Sequence, residues 1–326
     1  MGVLVEGVWK DRMPMEKSED GSFVRKDAGF RNWVTADGRA GPTGEEGFAA
    51  ETGRYHLYVS LACPWAHRTL IFRKLKGLDA AIDVSVVHNF SGSDGWTFEL
   101  EEGATGDQVM GKPFMRDIYT EAKADYTGRV TVPVLWDKKQ HTIVSNESSE
   151  IIRMFNSEFA AAGANELDFY PPELRDKIDV INVRIYETLN NGVYMCGFAS
   201  TQAAYDAAVG PLFDTLDWIE NILTTNRYLT GSRITEADWR LFTTLVRFDP
   251  VYHGHFKCNI KRLQDYPNLW NYTLELAQWP GVAETTNMRH IKNHYYASHE
   301  SVNPSRIVPA GPDVDYAAPH DRARLS

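Results

Sequence analysis

The run Tyr55-His56-Leu57-Tyr58-Val59-Ser60-Leu61-Ala62-Cys63-Pro64-Trp65-Ala66-His67-Arg68 constrains the fold more than any other stretch of this chain. Tyr55, Leu57 and Val59 alternate with His56, Tyr58 and Ser60, the period of a strand. Pro64 suits the first position of a helix, where its fixed ring angle helps and no N–H is lost. A helix over roughly Pro64–Lys76 is predicted, with Arg73, Lys74 and Lys76 in its last turn and Gly77 just beyond. Cys63 then falls at the N-cap, over unpaired N–H groups and the positive end of the helix dipole. A thiolate is favoured there, and cysteines so placed can titrate at roughly 3.5–7.5 instead of about 8.5. Position 66 is Ala66, so the motif is monothiol. Any mixed disulfide at Cys63 must be resolved by a thiol from outside, for which glutathione is the abundant cellular candidate. The plain alternative is a small buried residue at a strand–helix junction.

Composition narrows the class. The chain has 326 residues, enough for two domains. Apolar residues at 43% and charged ones at 24% are ordinary for a water-soluble globular chain. A net charge of −10 argues against nucleic acid as a partner. No apolar run approaches the ~20 residues that span a bilayer. The first twenty residues lack the apolar core of a secretory leader, and Met1-Gly2 lacks the Ser or Thr of a myristoylation signal. Cys63, Cys196 and Cys258 are odd in number and far apart, which points to a reducing, cytoplasmic setting and not to a disulfide framework. They lack metal-site spacing, so no metal is expected. Cys196 and Cys258 read as core thiols.

Residues 1–50 read as an extended arm with scattered aromatics (Trp9, Phe23, Phe30, Trp33). Residues 51–160 read as strand, helix, strand at Ile82–His88, a long polar insertion at 89–128, and then two further strands and a helix. The run Val130–Trp136 is β-rich but carries Pro133, which implies an edge, a bend or a cis bond. Thr142–Val144 is a short strand. Asn146 or Ser145 is placed to cap the helix that follows. Residues 161–326 read as all helical, with apolar stripes at Leu174, Ile178, Ile181, Ile185, Leu189 and at Val209, Leu212, Phe213, Leu216, Ile219, Leu223. Thr235 and Asp238 have capping-box spacing, with Ile234 and Trp239 placed as its hydrophobic staple.

An α/β thioredoxin-like amino-terminal domain followed by an all-α domain resembles the glutathione transferase fold. Cys63-Pro64-Trp65-Ala66-His67-Arg68, Gly95-Trp96, Arg129–Asp137 and Ser145-Asn146-Glu147-Ser148-Ser149 resemble the Xi class, the glutathionyl-hydroquinone reductases, and the likeness covers most of the chain. The resemblance implies an enzyme that takes glutathione as co-substrate and aromatic quinol conjugates as substrate. It implies that Cys63 is the nucleophile and that Trp96, Arg129, Val130, Glu147 and Ser148 contact glutathione. It also implies that Pro133 is cis and that the chain forms a homodimer. Tyr194, Tyr252 and Tyr295 resemble tyrosines lining the quinol site, with Tyr194 or Tyr295 assisting catalysis by a hydrogen bond. Tyr296 is a further candidate for the substrate pocket, and His253 and His255, close by in sequence, are candidates with it. The second substrate is expected between the domains, a usual place for pockets. Two other readings share the scaffold. One is a general thiol transferase or dehydroascorbate reductase of the omega-like type. The other is a non-catalytic binding module.

Overall fold

The structure, a computed structural model, describes residues 2–11 and 18–325. Met1, residues 12–17 and Ser326, and with them part of the stretch read above for a leader or lipid signal, lie outside the described residues. The chain divides into two compact units. Among the described residues the first comprises 2–11, 26–167 and 285–294; the second comprises 18–25, 168–284 and 295–325.

The first unit holds β1 (Val3–Val5), β2 (Val8–Lys10), β3 (Trp33–Thr35), β4 (Gly47–Ala49), β5 (Tyr55–Val59), α1 (Pro64–Leu75), β6 (Asp83–Val86), β7 (Ser91–Gly92), β8 (Gly95–Trp96), α2 (Met115–Ala122), β9 (Gly128–Arg129), β10 (Val134–Asp137), β11 (Thr142–Ser145) and α3 (Ser148–Ser157). Its main sheet has the order β11-β10-β5-β6. β5 and β6 are parallel, while β10 runs antiparallel to both β5 and β11. α1 is the crossover between the parallel pair, and it packs against α3.

All five residues of β5 are buried, so the alternation in its sequence does not separate core from water. Its polar side chains are hydrogen-bonded inside the fold, the Tyr55 hydroxyl donating to the Ala49 carbonyl at 2.6 Å. His56 Nε2 pairs with Ser85 Oγ at 2.7 Å, and the Tyr58 hydroxyl donates to Asp107 Oδ1 at 2.9 Å. Asp107 also accepts from the backbone N–H groups of Val109 and Lys112, each at 2.9 Å. The insertion read as a long polar loop is therefore structured. It carries the β7–β8 hairpin, α2 and the Asp107 turn, and it supplies the polar partner of Tyr58.

α1 ends one residue earlier than the sequence predicts. Lys76 is its C-cap, Gly77 follows at φ +70°, and the Gly77 and Leu78 N–H groups return to the Lys74 and Arg73 carbonyls at 3.1 and 2.9 Å. That is the paired closure for which a left-handed glycine is favoured. The Val130–Trp136 run is not one strand. Gly128–Arg129 pairs with β1, the Val132–Pro133 bond is cis, and the main-sheet strand starts at Val134. The cap of α3 is Glu147, not Asn146 or Ser145: the Glu147 carboxylate accepts from the Ser149 N–H at 2.9 Å. Asn146 is occupied elsewhere. Its Oδ1 accepts from the Phe30 N–H at 3.0 Å, and its own N–H donates to the Phe30 carbonyl at 3.1 Å.

The second unit holds α4 (Arg175–Ile185), α5 (Gly192–Phe198), α6 (Gln202–Thr225), α7 (Glu236–Arg247) and α8 (Pro267–Ala277); α9 (Met288–Ser298) contributes its carboxy-terminal part from Tyr295. Ile178, Ile181, Ile185 and Leu189 are buried as their spacing predicts, although the last lies in a π-helical segment, Tyr186–Asn190. At the start of α7 the Asp238 carboxylate accepts from the Thr235 N–H and hydroxyl at 2.7 and 2.9 Å. Among the described residues no helix is long and apolar enough to cross a membrane, and no cluster of His, Cys, Asp or Glu is arranged to hold a metal ion.

Candidate active site

In the first unit the chain direction brings three segments to one edge of the main sheet. β5 runs out toward Cys63, β10 starts there with Val134 opposite Tyr58, and β11 ends there with Ser145 opposite Leu135. The turn before α1, the cis Val132–Pro133 segment and the amino terminus of α3 share that edge.

Cys63 is the N-cap of α1, and Pro64 takes the first turn as the sequence predicts. The half-buried sulfur does not cap the helix. It donates to the Val132 carbonyl at 3.4 Å. Losing that proton would turn the contact repulsive, whereas the helix terminus favours the resulting charge. A sulfur so placed has reason to turn from the carbonyl toward the helix once ionised. Ala66, three residues on, is fully buried.

Glu147 and Ser148 open α3, where unpaired N–H groups and the dipole favour an anion. The Glu147 carboxylate also accepts from the Ser149 hydroxyl at 2.7 Å, which fixes its rotamer. Arg129 lies in β9, in register with Val3 of β1, so the amino-terminal arm sets its backbone. Val130 follows it, half-buried. Trp96 lies in β8, and its ring stacks on His294, with centroids 4.6 Å apart and planes at 23°. His294 Nδ1 is 3.0 Å from the Asn89 carbonyl. His294 is a partner that the sequence did not signal, 198 residues away in the chain.

In the second unit Tyr194, Tyr252 and Tyr295 come together. The Tyr194 and Tyr295 hydroxyls are 2.5 Å apart, and those of Tyr252 and Tyr295 are 3.0 Å apart. Phe198 and Phe256 pack around them. Burial pushes the Tyr252 and Tyr295 phenols well above their ordinary range, so both hold their protons at neutral pH. The chain is suited to relaying a proton through its hydroxyls.

The neighbouring residues are placed differently. The Tyr296 hydroxyl donates to the Pro250 carbonyl at 3.2 Å, outside the hydroxyl cluster. His255 is buried and pairs with His299 at 3.2 Å. The sequence also missed two arm residues. Phe23 packs against Tyr194 and Phe198, and the Arg25 guanidinium lies 5.0 Å from the centre of the Tyr194 ring. Phe23 was visible only as an isolated aromatic, and Arg25 had no signal.

Residues 62–158 match the model of the glutathione S-transferase amino-terminal domain, and residues 202–274 match that of the carboxy-terminal domain. The chain is 57% identical over 323 residues to glutathionyl-hydroquinone reductase YqjG of Escherichia coli (strain K12), covering 99% of this chain and 98% of that one. The glutathione-bound structure of YqjG superposes with a TM-score of 0.92 at 55% identity, covering 99% of each chain. Glutathionyl-hydroquinone reductase PcpF of Sphingobium chlorophenolicum is 54% identical over 312 residues, 96% of each chain. The structure of a Xi class transferase from Natrialba magadii matches with a TM-score of 0.90 at 49% identity, over 100% of this chain and 98% of that one. A monothiol cysteine at a helix N-cap beside a cis-proline segment, carried on a fold shared over the whole length of these proteins, makes this chain a member of the glutathione transferase family, in its Xi class.

Proposed function

We propose that this protein is a glutathione-dependent reductase that removes glutathione from S-glutathionyl-hydroquinones. The observation that carries the reading is Cys63, an N-cap thiol beside the Val132 carbonyl with alanine in place of a second cysteine at position 66. Two full-length relatives bear the name of that activity.

The reaction has two steps. The Cys63 thiolate attacks the glutathionyl sulfur of the conjugate, forming a Cys63–glutathione disulfide. The aryl carbon–sulfur bond breaks, its electron pair stays on carbon, and that carbon takes a proton to give free hydroquinone. A second glutathione thiolate then attacks the mixed disulfide, releasing glutathione disulfide and regenerating the Cys63 thiolate. Glutathione supplies the reducing electrons.

Trp96, Arg129, Val130, Glu147 and Ser148 hold the glutathionyl group in this scheme. The amino terminus of α3 suits its γ-glutamyl carboxylate and the Glu147 carboxylate suits its ammonium. Arg129 suits a carboxylate and Trp96 offers a flat face. Tyr194 and Tyr295 serve the quinol, with their hydroxyl chain as the proton source, and Tyr252 extends that chain. Tyr296 borders the same aromatic cluster through His255, ring centres 4.8 Å apart. A cytoplasmic location suits three cysteines that are all thiols. A homodimer suits the exposed Val180 and Val183 of α4.

The test is intact mass after brief mixing with S-glutathionyl-hydroquinone in the absence of free glutathione. A gain of one glutathionyl group at Cys63, with hydroquinone released and the adduct cleared by added glutathione, is expected. An adduct from glutathione disulfide but none from the conjugate would instead make this a general thiol transferase, and no adduct from either would make it a binding module.

A further inference from the structure

The arm segment before the first unit's β3 carries an arginine that the chemistry above does not use. Residues 18–25 belong to the helical unit, and backbone contacts fix them there. The Gly21 carbonyl accepts from the Ser200 N–H at 3.2 Å and from the Ser200 hydroxyl at 3.1 Å, and the Asp20 carbonyl accepts from the Thr201 hydroxyl at 2.8 Å. Gly21 sits at φ +89°, and a Cβ there would come within 2.7 Å of the Ser200 hydroxyl oxygen. Phe23 is buried, its ring 5.6 Å from that of Phe198 and 6.5 Å from that of Tyr194.

In an extended segment, side chains two apart face the same way. Val24 is exposed, while Phe23 and Arg25 both turn to Tyr194. The Arg25 guanidinium stands 5.0 Å from the Tyr194 ring centre and 5.3 Å from that of Phe23. Its Nε donates to Asn191 Oδ1 at 2.8 Å, three residues before Tyr194 on the same helical stretch. Two backbone carbonyls and a buried ring already hold the segment, so Arg25 is not needed as its anchor.

Tyr194 is also one end of the hydroxyl chain, 2.5 Å from Tyr295. When a phenol gives up its proton, the negative charge spreads into the ring. A cation held over that ring face favours the charged form. From this geometry we infer that Arg25 is a positioning residue for proton delivery: it fixes the Tyr194 ring and favours the charge that develops there as the aryl carbon is protonated. The inference rests on the reductase reading, in which Tyr194 serves the quinol.

The full-length protein and its R25M and R25K variants test it in two single-turnover reactions without free glutathione. In one, S-glutathionyl-hydroquinone gives the Cys63 adduct and hydroquinone. In the other, glutathione disulfide gives the same adduct and glutathione thiolate, with no proton delivered to carbon. R25M should slow hydroquinone release about tenfold and change the disulfide reaction by less than about twofold; R25K should restore most of the loss. Equal loss in both reactions would mean that Arg25 only supports the fold, and unchanged hydroquinone release would mean that it does not act; either overturns the inference. If the wild-type chain reacts with the disulfide but releases no hydroquinone, the reductase reading fails and takes this inference with it.

Discussion

The Cys63 sulfur and the Val132 carbonyl meet at 3.4 Å, joining the start of α1 to the segment before Pro133. The two are 69 residues apart in sequence. Their contact puts the half-buried thiol beside the backbone of the cis-proline segment.

Replacing Cys63 with serine should reduce the first half-reaction to the uncatalysed rate, because a neutral hydroxyl has no comparable nucleophilicity toward sulfur. Stopped reactions analysed for hydroquinone and for protein mass measure this. Full reductase rate in C63S would end the covalent scheme. Weak conjugating activity in the variant would be consistent with it.

Ala66→Cys should convert the monothiol site into a Cys-x-x-Cys pair. The glutathione adduct at Cys63 should then fail to accumulate, giving way to a disulfide between positions 63 and 66 with glutathione released. Ala66 is fully buried, so overpacking should also lower stability by about 1–3 kcal/mol. Mass spectrometry after one turnover decides; a persistent adduct would show that the second thiol cannot reach the first.

Tyr295→Phe removes the hydroxyl that both Tyr194 and Tyr252 contact. Two buried hydroxyls lose a partner, which should cost about 1–3 kcal/mol in denaturant unfolding. Hydroquinone release should slow while exchange with glutathione disulfide persists. Tyr194→Phe should give the same split, and unchanged turnover on the quinol conjugate would remove Tyr194 from the scheme.

His56 should make the fold acid-sensitive. Burial holds its imidazole neutral and lowers its pKa from 6.5 to about 4, so between those values the unfolded chain takes up a proton that the folded chain does not. This contribution is present above pH ~6.5 and is lost as pH falls toward about 4, by as much as ~3 kcal/mol. Urea midpoints of wild type and H56Q at several pH values between 7 and 4 measure it. The wild type should fall more steeply, and parallel curves would refute the assignment.

Local chemistry made much of this legible. Pro64 marks the start of α1, Gly77 its end, and the Thr235–Asp238 spacing the start of α7, because each depends on neighbours within one turn. Glu147 was harder. Asn146 is the better cap by residue type, but its side chain is committed to Phe30, 116 residues away, and no local rule sees that contact. The same holds for Trp96 with His294 and for Tyr194 with Arg25. The insertion reads as a long polar loop because contacts such as that of Asp107 with Tyr58 are polar and leave no periodic trace.

The pairing of Phe30 with Asn146 bears on how this family can vary in length. Terminal extensions usually tolerate deletion, since little depends on their backbone. Here the extension is read by the residue just ahead of the α3 cap, and its first strand sets the backbone of Arg129. Shortening the arm would remove the strand that pairs with Arg129 and the partner of Asn146, and it would also strip the buried Trp33, Val34 and Phe48 from the first unit.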